Sequence, residues 1–160
     1  MSPTDQPIVL LVASMSGTAE MAAEEMAQEI KRAGLTARVI GMEKAGLSIF
    51  DEYRIFIVCS STYGTGDIPD NGQPFFAALT DQRPDLSHIR YGLVGLGDMT
   101  YFTTFCGAGR KFDETLSSLG ANRIGECLFH DAKSDVFADQ AALQWLEGWL
   151  AEILQAAAVK

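Results

Sequence analysis

The chain has 160 residues, 48% of them apolar and 21% charged, and a net charge of −9. Such a length and mix suit one domain with its own core, expected over about residues 8–157 of 1–160, and argue against a disordered chain or one that needs disulfides to fold. A protein this acidic is repelled by phosphate backbones and anionic lipid, so nucleic acid and membranes are not expected partners and basic protein surfaces are; solubility alone would explain the charge equally well.

Residues Met1 to Pro7 are polar and lack Lys and Arg. The apolar run Ile8–Ala13 that follows spans six residues, too short for a signal peptide or a membrane span. It reads as a strand buried on both faces. Glu20–Ala33 has helical spacing, with Met21, Ala22, Met26 and Ile30 on one side and Glu24, Glu25, Glu29 and Lys31 on another, and Gly34 closes it. Thr36–Met42 is predicted as a second strand and Arg54–Ser60 as a third. Pro74–Leu79 is predicted as a short helix, Tyr91–Leu96 as a fourth strand, Gly107–Leu119 as a helix, Arg123–Phe129 as a fifth strand and Asp139–Ala157 as the last helix. Strands alternating with helices imply a parallel sheet with helices on both faces, an α/β fold whose ligand site lies beyond the carboxyl ends of the strands.

Three loops leave those ends. The first, Ser14-Met15-Ser16-Gly17-Thr18-Ala19, enters a helix and carries three hydroxyls and a glycine but no Lys. Helix-start N–H groups with a partial positive charge bind anions. Without the Lys of a nucleoside-triphosphate loop, and without GxGxxG, a single phosphate monoester suits it best; alternatively Ser16 or Thr18 caps the helix. The second, Ser61-Thr62-Tyr63-Gly64-Thr65-Gly66-Asp67, sets an aromatic among glycines, either as a plate for a flat ring or as a half-exposed surface turn. The third, Gly97-Asp98-Met99-Thr100-Tyr101-Phe102-Thr103-Thr104-Phe105-Cys106, holds three aromatics in ten residues.

His88 and His130 belong to no cluster with metal spacing. Trp145 and Trp149, four apart on the last helix, are expected in the core. Cys59, Cys106 and Cys127 form no CxxC pair, as in a reducing cytoplasm, and Cys59 and Cys127 fall in predicted core strands. Cys106 opens a helix, a position that can lower a thiol pKa; the other reading is a small residue needed for packing.

With these stretches in view the chain resembles the flavodoxin family, closest to the short MioC-like flavodoxins of bacteria, and is similar to the FMN domains of diflavin reductases. The matching residues are SMSGTAE at 14–20, SSTYGTGDIPDN at 60–71, GLGDMTY at 95–101, FCGAGRKFD at 105–113 and RIGECLFHDA at 123–132. The resemblance implies a flavodoxin-like three-layer sandwich, a five-stranded parallel sheet in order 2-1-3-4-5. It implies FMN as cofactor, its phosphate on Ser14, Met15, Ser16, Gly17, Thr18 and Ala19. The flavin would lie between Tyr63 and Tyr101, within reach of Ser61, Thr62, Gly64, Thr65 and Gly66. Its pyrimidine edge would meet Leu96, Gly97, Asp98, Met99, Thr100, Phe105 and Cys106, with Asp131 close by. The chain has one more residue between Tyr101 and Phe105 than the family pattern, which leaves Tyr101 and Phe102 both eligible for the outer plate. In the family a peptide after the inner aromatic flips toward the flavin, and Gly64 keeps such a flip inexpensive. Acids near the rim, such as Asp67, Asp70 and Asp98, favour a strong donor: a charge roughly 10 Å away contributes about 1.7 kcal/mol at an effective dielectric of about 20.

The function implied is a low-potential one-electron carrier, not an enzyme, cytoplasmic, a monomer with a weak dimer as the alternative, working with a flavodoxin/ferredoxin reductase and an acceptor enzyme. The alternatives are an FMN-dependent quinone or NAD(P)H oxidoreductase, and a flavin-free interaction module. A phosphorylation-controlled regulator would need acids where Ser14-Met15 and Ser60-Ser61 stand.

Overall fold

The computed structural model describes residues 7–14, 17–62, 66–97 and 106–158. Its elements run β1 (Ile8–Ala13), α1 (Thr18–Arg32), β2 (Ala37–Gly41), α2 (Ile49–Glu52), β3 (Ile55–Ser60), α3 (Gln73–Gln82), β4 (Arg90–Gly97), α4 (Gly107–Ser118), β5 (Asn122–Arg123), β6 (Leu128–Asp131) and α5 (Ala138–Ala158).

All strands pair in parallel in the order β2-β1-β3-β4-β5, with β6 also on β4. Side chains alternate across a strand, so each apolar run feeds two cores. Ile8, Leu10 and Val12 of β1, with Ile55, Ile57 and Cys59 of β3, pack under α1 and α5. Val9, Leu11 and Ala13, with Phe56 and Val58, pack under α3 and α4. This is the expected three-layer sandwich. Every residue of β1 and β3 is buried, which is why both lack the polar alternation of a half-exposed strand.

The expected fifth strand, Arg123–Phe129, is two strands. β5 pairs with Arg90 and Tyr91, and β6 pairs with Val94 to Gly97. Between them Gly125 turns at φ 70, a conformation that strand residues do not adopt. The Glu126 carbonyl leaves the ladder and accepts the Trp145 indole N–H at 2.8 Å. Arg123 is drawn to Asp113 of α4 at 2.8 Å, and Asp113 also accepts the Tyr91 hydroxyl at 2.6 Å. Cys127 therefore sits in the break, half-buried, and not inside a core strand. The short helix expected at Pro74–Leu79 is longer and ends beside Arg83. The helix α2 has no counterpart among the sequence expectations, its single turn being too short for a periodic signal.

Trp145 and Trp149 lie where expected, against the sheet, with ring centroids 5.8 Å apart. They rest on Gly92 of β4: a Cβ there would lie 2.4 Å from Trp149 Nε1 and 2.6 Å from Trp145 Cη2. Overpacking of this kind costs about 1–3 kcal/mol. Gly92→Ala should accordingly lower the thermal midpoint by roughly 3–10 °C and shift the tryptophan emission; a midpoint and spectrum equal to the parent's would show that both indoles move aside freely.

Candidate functional site

The register places Ala13 beside Ser60 and Ser60 beside Gly95, so β1, β3 and β4 end side by side. The three chemically unusual loops leave from this one edge. Met15, Ser16, Tyr63, Gly64, Thr65, Asp98, Met99, Thr100, Tyr101, Phe102 and Phe105 lie outside the described residues. The loop roots and the helices they enter are described.

At the first loop, Gly17 stands at the cap of α1 and has no side chain with which to bond the first-turn N–H groups. Ser14 Oγ instead accepts the Gly17 N–H at 2.9 Å and rounds the turn before the helix. Ala19 is buried against the sheet, whereas Gly17 and Thr18 face out. The result is a helix start directed past the end of β1, with Glu20 as the acid of its first turn.

The second loop is tied to the first. The Ser61 N–H donates to the Ala13 carbonyl at 2.9 Å. Ser60 is fully buried and donates through Oγ to the Ser61 carbonyl. Ser61 and Thr62 are half-buried, and Thr62 Oγ1 accepts the Ala108 N–H of α4 at 3.4 Å. Gly66 is buried against Gly107: a Cβ on Gly107 would stand 2.8 Å from Gly66 Cα, so only glycine allows this approach. Asp67, expected to add negative charge to the rim, lies 4.0 Å from Lys111, and both side chains are about half exposed (55% and 48%), so the pair is weak.

Asn71 was not singled out from the sequence, and it is the residue that joins the first two loops. Its Oδ1 accepts the Ser14 N–H at 3.0 Å, and its Nδ2 donates to the Val12 carbonyl at 3.2 Å and to Glu43 Oε1 at 3.0 Å. Its sequence signals were its place at the end of the matching stretch 60–71 and the glycine after it, which reads as a turn; the long-range partners are invisible along the chain.

At the third loop Leu96 is buried within β4, and Gly97 is half-buried at its end. The Gly97 carbonyl accepts the Ala132 N–H at 2.8 Å, which brings Asp131 alongside. Asp131 is half-buried, and its Oδ1 accepts the Lys133 N–H. Cys106 opens α4 in the left-handed region at φ 53 and is fully buried. Its thiol donates to the His130 carbonyl at 3.8 Å, and burial pushes it up to about 12. Of the two readings for Cys106 this geometry favours packing, because the desolvation of a thiolate outweighs the helix start and the nearby Arg110.

His130 bonds the Val136 carbonyl through Nε2, and His88 bonds the Phe50 carbonyl. Among the described residues no group of three His, Cys, Asp or Glu could hold a metal ion. No helix of the described residues is long and apolar enough to cross a membrane.

The arrangement is a doubly wound parallel α/β sheet whose switch-point edge carries the start of α1 and the roots of two further loops, the architecture of a flavodoxin-like α/β protein. Comparison with known proteins agrees. The flavodoxin family model matches residues 10–145. Protein MioC of Escherichia coli K12 is 38% identical over 143 residues, 89% of this chain and 95% of that one. NADPH oxidoreductase A of Dictyostelium discoideum is 34% identical over 126 residues, 76% of this chain and 20% of that protein. The solved structure of a cysteine-to-alanine point mutant of a flavodoxin from Pseudomonas aeruginosa superposes with a TM-score of 0.83 at 33% identity, covering 92% of this chain and 99% of that one. The chain belongs to the flavodoxin family, and FMN is the cofactor that goes with that membership.

The Asn71 contacts can be tested by stability. Asn71→Ala should cost about 1–3 kcal/mol in urea unfolding of the apo-protein, because it orphans the Ser14 N–H. Asn71→Asp keeps that acceptor but sets a carboxylate against Glu43. Like charges raise the pair's folded-state pKa, so its deficit is present at neutral pH and shrinks as pH falls below roughly 5. A deficit independent of pH would contradict the Asn71–Glu43 contact.

The cysteines can be tested by labelling. Burial pushes Cys59 and Cys106 up to about 12 and Cys127 to about 11. All three stay protonated at pH 8, and iodoacetamide should reach half-buried Cys127 first, slowly, and faster as pH rises. Peptide mapping that finds Cys106 labelled first would overturn the packing reading.

Proposed function

We propose that this protein holds one FMN at the shared edge of β1, β3 and β4 and carries electrons one at a time between a reductase and an acceptor protein. The observation that supports the reading is the shared edge on which β1, β3 and β4 end, which sets the roots of the three loops beside the Gly17 start of α1. Bound FMN supplies the redox chemistry; the chain supplies binding, orientation and charge.

In this reading Ser14, Met15, Ser16, Gly17, Thr18 and Ala19 hold the phosphate. Backbone N–H groups and hydroxyls suit a monoester dianion, and the first turn's partial positive charge adds about 0.3–1 kcal/mol. Asn71 fixes where that turn begins. Tyr63 packs on one face of the ring system, and Tyr101 or Phe102 on the other. Ser61, Thr62, Gly64, Thr65 and Gly66 line the inner side, with Gly64 free to turn its peptide. Leu96, Gly97, Asp98, Met99, Thr100, Phe105, Cys106 and Asp131 border the far edge. Cys106 contributes backbone there, since its thiol is turned to the His130 carbonyl.

The acidic surface, net −9, supports basic-surfaced partners, a flavodoxin/ferredoxin reductase on one side and an acceptor enzyme on the other. The three cysteines, all free, accord with a reducing cytoplasm. We read residues 1–160 as one such domain, acting as a monomer.

The test begins with the apo-protein and FMN, which should form a yellow one-to-one complex. Thr18→Val with Ser16→Ala should weaken FMN about tenfold or more and riboflavin little, since charge-assisted hydrogen bonds are worth about 1.5–3 kcal/mol. Equal loss for both ligands removes the phosphate assignment. With NADPH and a quinone, the holo-protein should show no steady turnover until a reductase is added; turnover without one would make it an oxidoreductase.

A further inference from the structure

Four large apolar side chains are exposed among the described residues: Met21, Val136, Phe137 and Leu154, of which Phe137 is by far the barest at 73%. Three of the four share the sheet edge that carries the loops. Val136 and Phe137 end the connection from β6 to α5, and Met21 lies in the first turn of α1, which packs along α5.

Phe137 is not on a loose segment. His130 Nε2 donates to the Val136 carbonyl at 2.6 Å, and Ser134 Oγ donates to the same carbonyl at 3.1 Å. The Ser134 N–H bonds the Asp131 carbonyl, and the Lys133 N–H bonds Asp131 Oδ1. On the other side the Phe137 carbonyl accepts the Ala141 N–H and starts α5. The same connection is fastened to the root of the third loop through Ala132 and Gly97. An aromatic ring is thus presented to solvent on a backbone fixed at both ends, outside both cores. Its surroundings are acidic: Asp135 and Asp139 flank it in sequence and Glu20 adjoins Met21, with Lys133 the one basic residue from 131 to 139.

We propose that Phe137, with Val136 and Met21 at the same edge, is the apolar anchor on which a basic-rimmed redox protein docks. This rests on the carrier reading above. An exposed aromatic on a fixed backbone, flanked in sequence by carboxylates, is suited to concentrate binding energy, because little backbone freedom is lost on contact. The surrounding acids steer a basic partner and make its approach salt-dependent. His130 is then a positioning residue for the anchor.

The probe is mitochondrial cytochrome c, a basic protein with an accessible haem edge, reduced by the photoreduced FMN-loaded protein. Phe137→Ser should lower the second-order rate about five- to tenfold at low salt, and Phe137→Leu should restore most of it. Leu154→Ser, on α5 about 25 Å further along the helix, should leave the rate unchanged. Asp135→Asn should flatten the salt dependence. Reduction of ferricyanide, too small to need the anchor, should match the parent in the Phe137 and Leu154 variants, and affinity for FMN should match it in every variant. The proposal falls if Phe137→Ser reacts at the parent rate, slows ferricyanide equally, or loses FMN. A parent that reduces ferricyanide but never the cytochrome overturns the carrier reading itself, and the anchor with it.

Discussion

Burial of the central strands on both faces is the constraint from which the rest of the molecule follows. β1 and β3 contain no exposed residue, and their side chains are committed alternately to the α1/α5 core and the α3/α4 core. Polar chemistry has no room along such strands and is confined to their ends. Because the strands are parallel, their carboxyl ends fall on one edge. Ser14, Ser61 and Gly97 thus begin three loops at one place, although 47 residues separate the first two and 36 the next two.

Convergence alone does not fix the loops to one another; a few polar and steric contacts do. Asn71 commits its whole amide to Ser14, Val12 and Glu43, so the first turn, the end of β1 and the segment after β2 share a single anchor. Gly107 lets the head of α4 press on Gly66. Cys106 holds a left-handed conformation, which costs a non-glycine residue roughly 1–2 kcal/mol. Its burial and its bond to the His130 carbonyl keep it there. Strain of this kind gathers at functional sites, where surroundings over-determine the backbone.

In the function proposed above, the same edge would meet opposite requirements. A phosphate would need N–H groups and partial positive charge, which the backbone at the start of α1 can supply without a cation. A basic partner would need negative charge, which the chain carries in excess. Backbone dipoles inside and carboxylates outside would satisfy both, since a helix-start field dies away within a turn while net charge acts over a Debye length, about 8–10 Å at ordinary salt.

The sequence by itself determined the layered parallel fold, the strand order through family resemblance, the three loops, and the core placement of Trp145 and Trp149. These are read from local patterns: apolar runs, helical spacing, glycine punctuation and motif order. It misjudged the fifth strand, whose apolar and β-branched residues conceal a turn at Gly125. That break depends on the Trp145 indole, twenty residues later, and on Asp113, ten residues before Arg123. It passed over Asn71, whose partners are 57, 59 and 28 residues away, and Phe137, which looks like any core aromatic until its neighbours are known. It left the Cys106 thiol between two readings, because a helix start lowers a pKa and burial raises it. Tertiary structure decided each of these for one reason: burial and hydrogen-bond pairing are properties of what lies across space, and a chain's own period says only which face a residue shares.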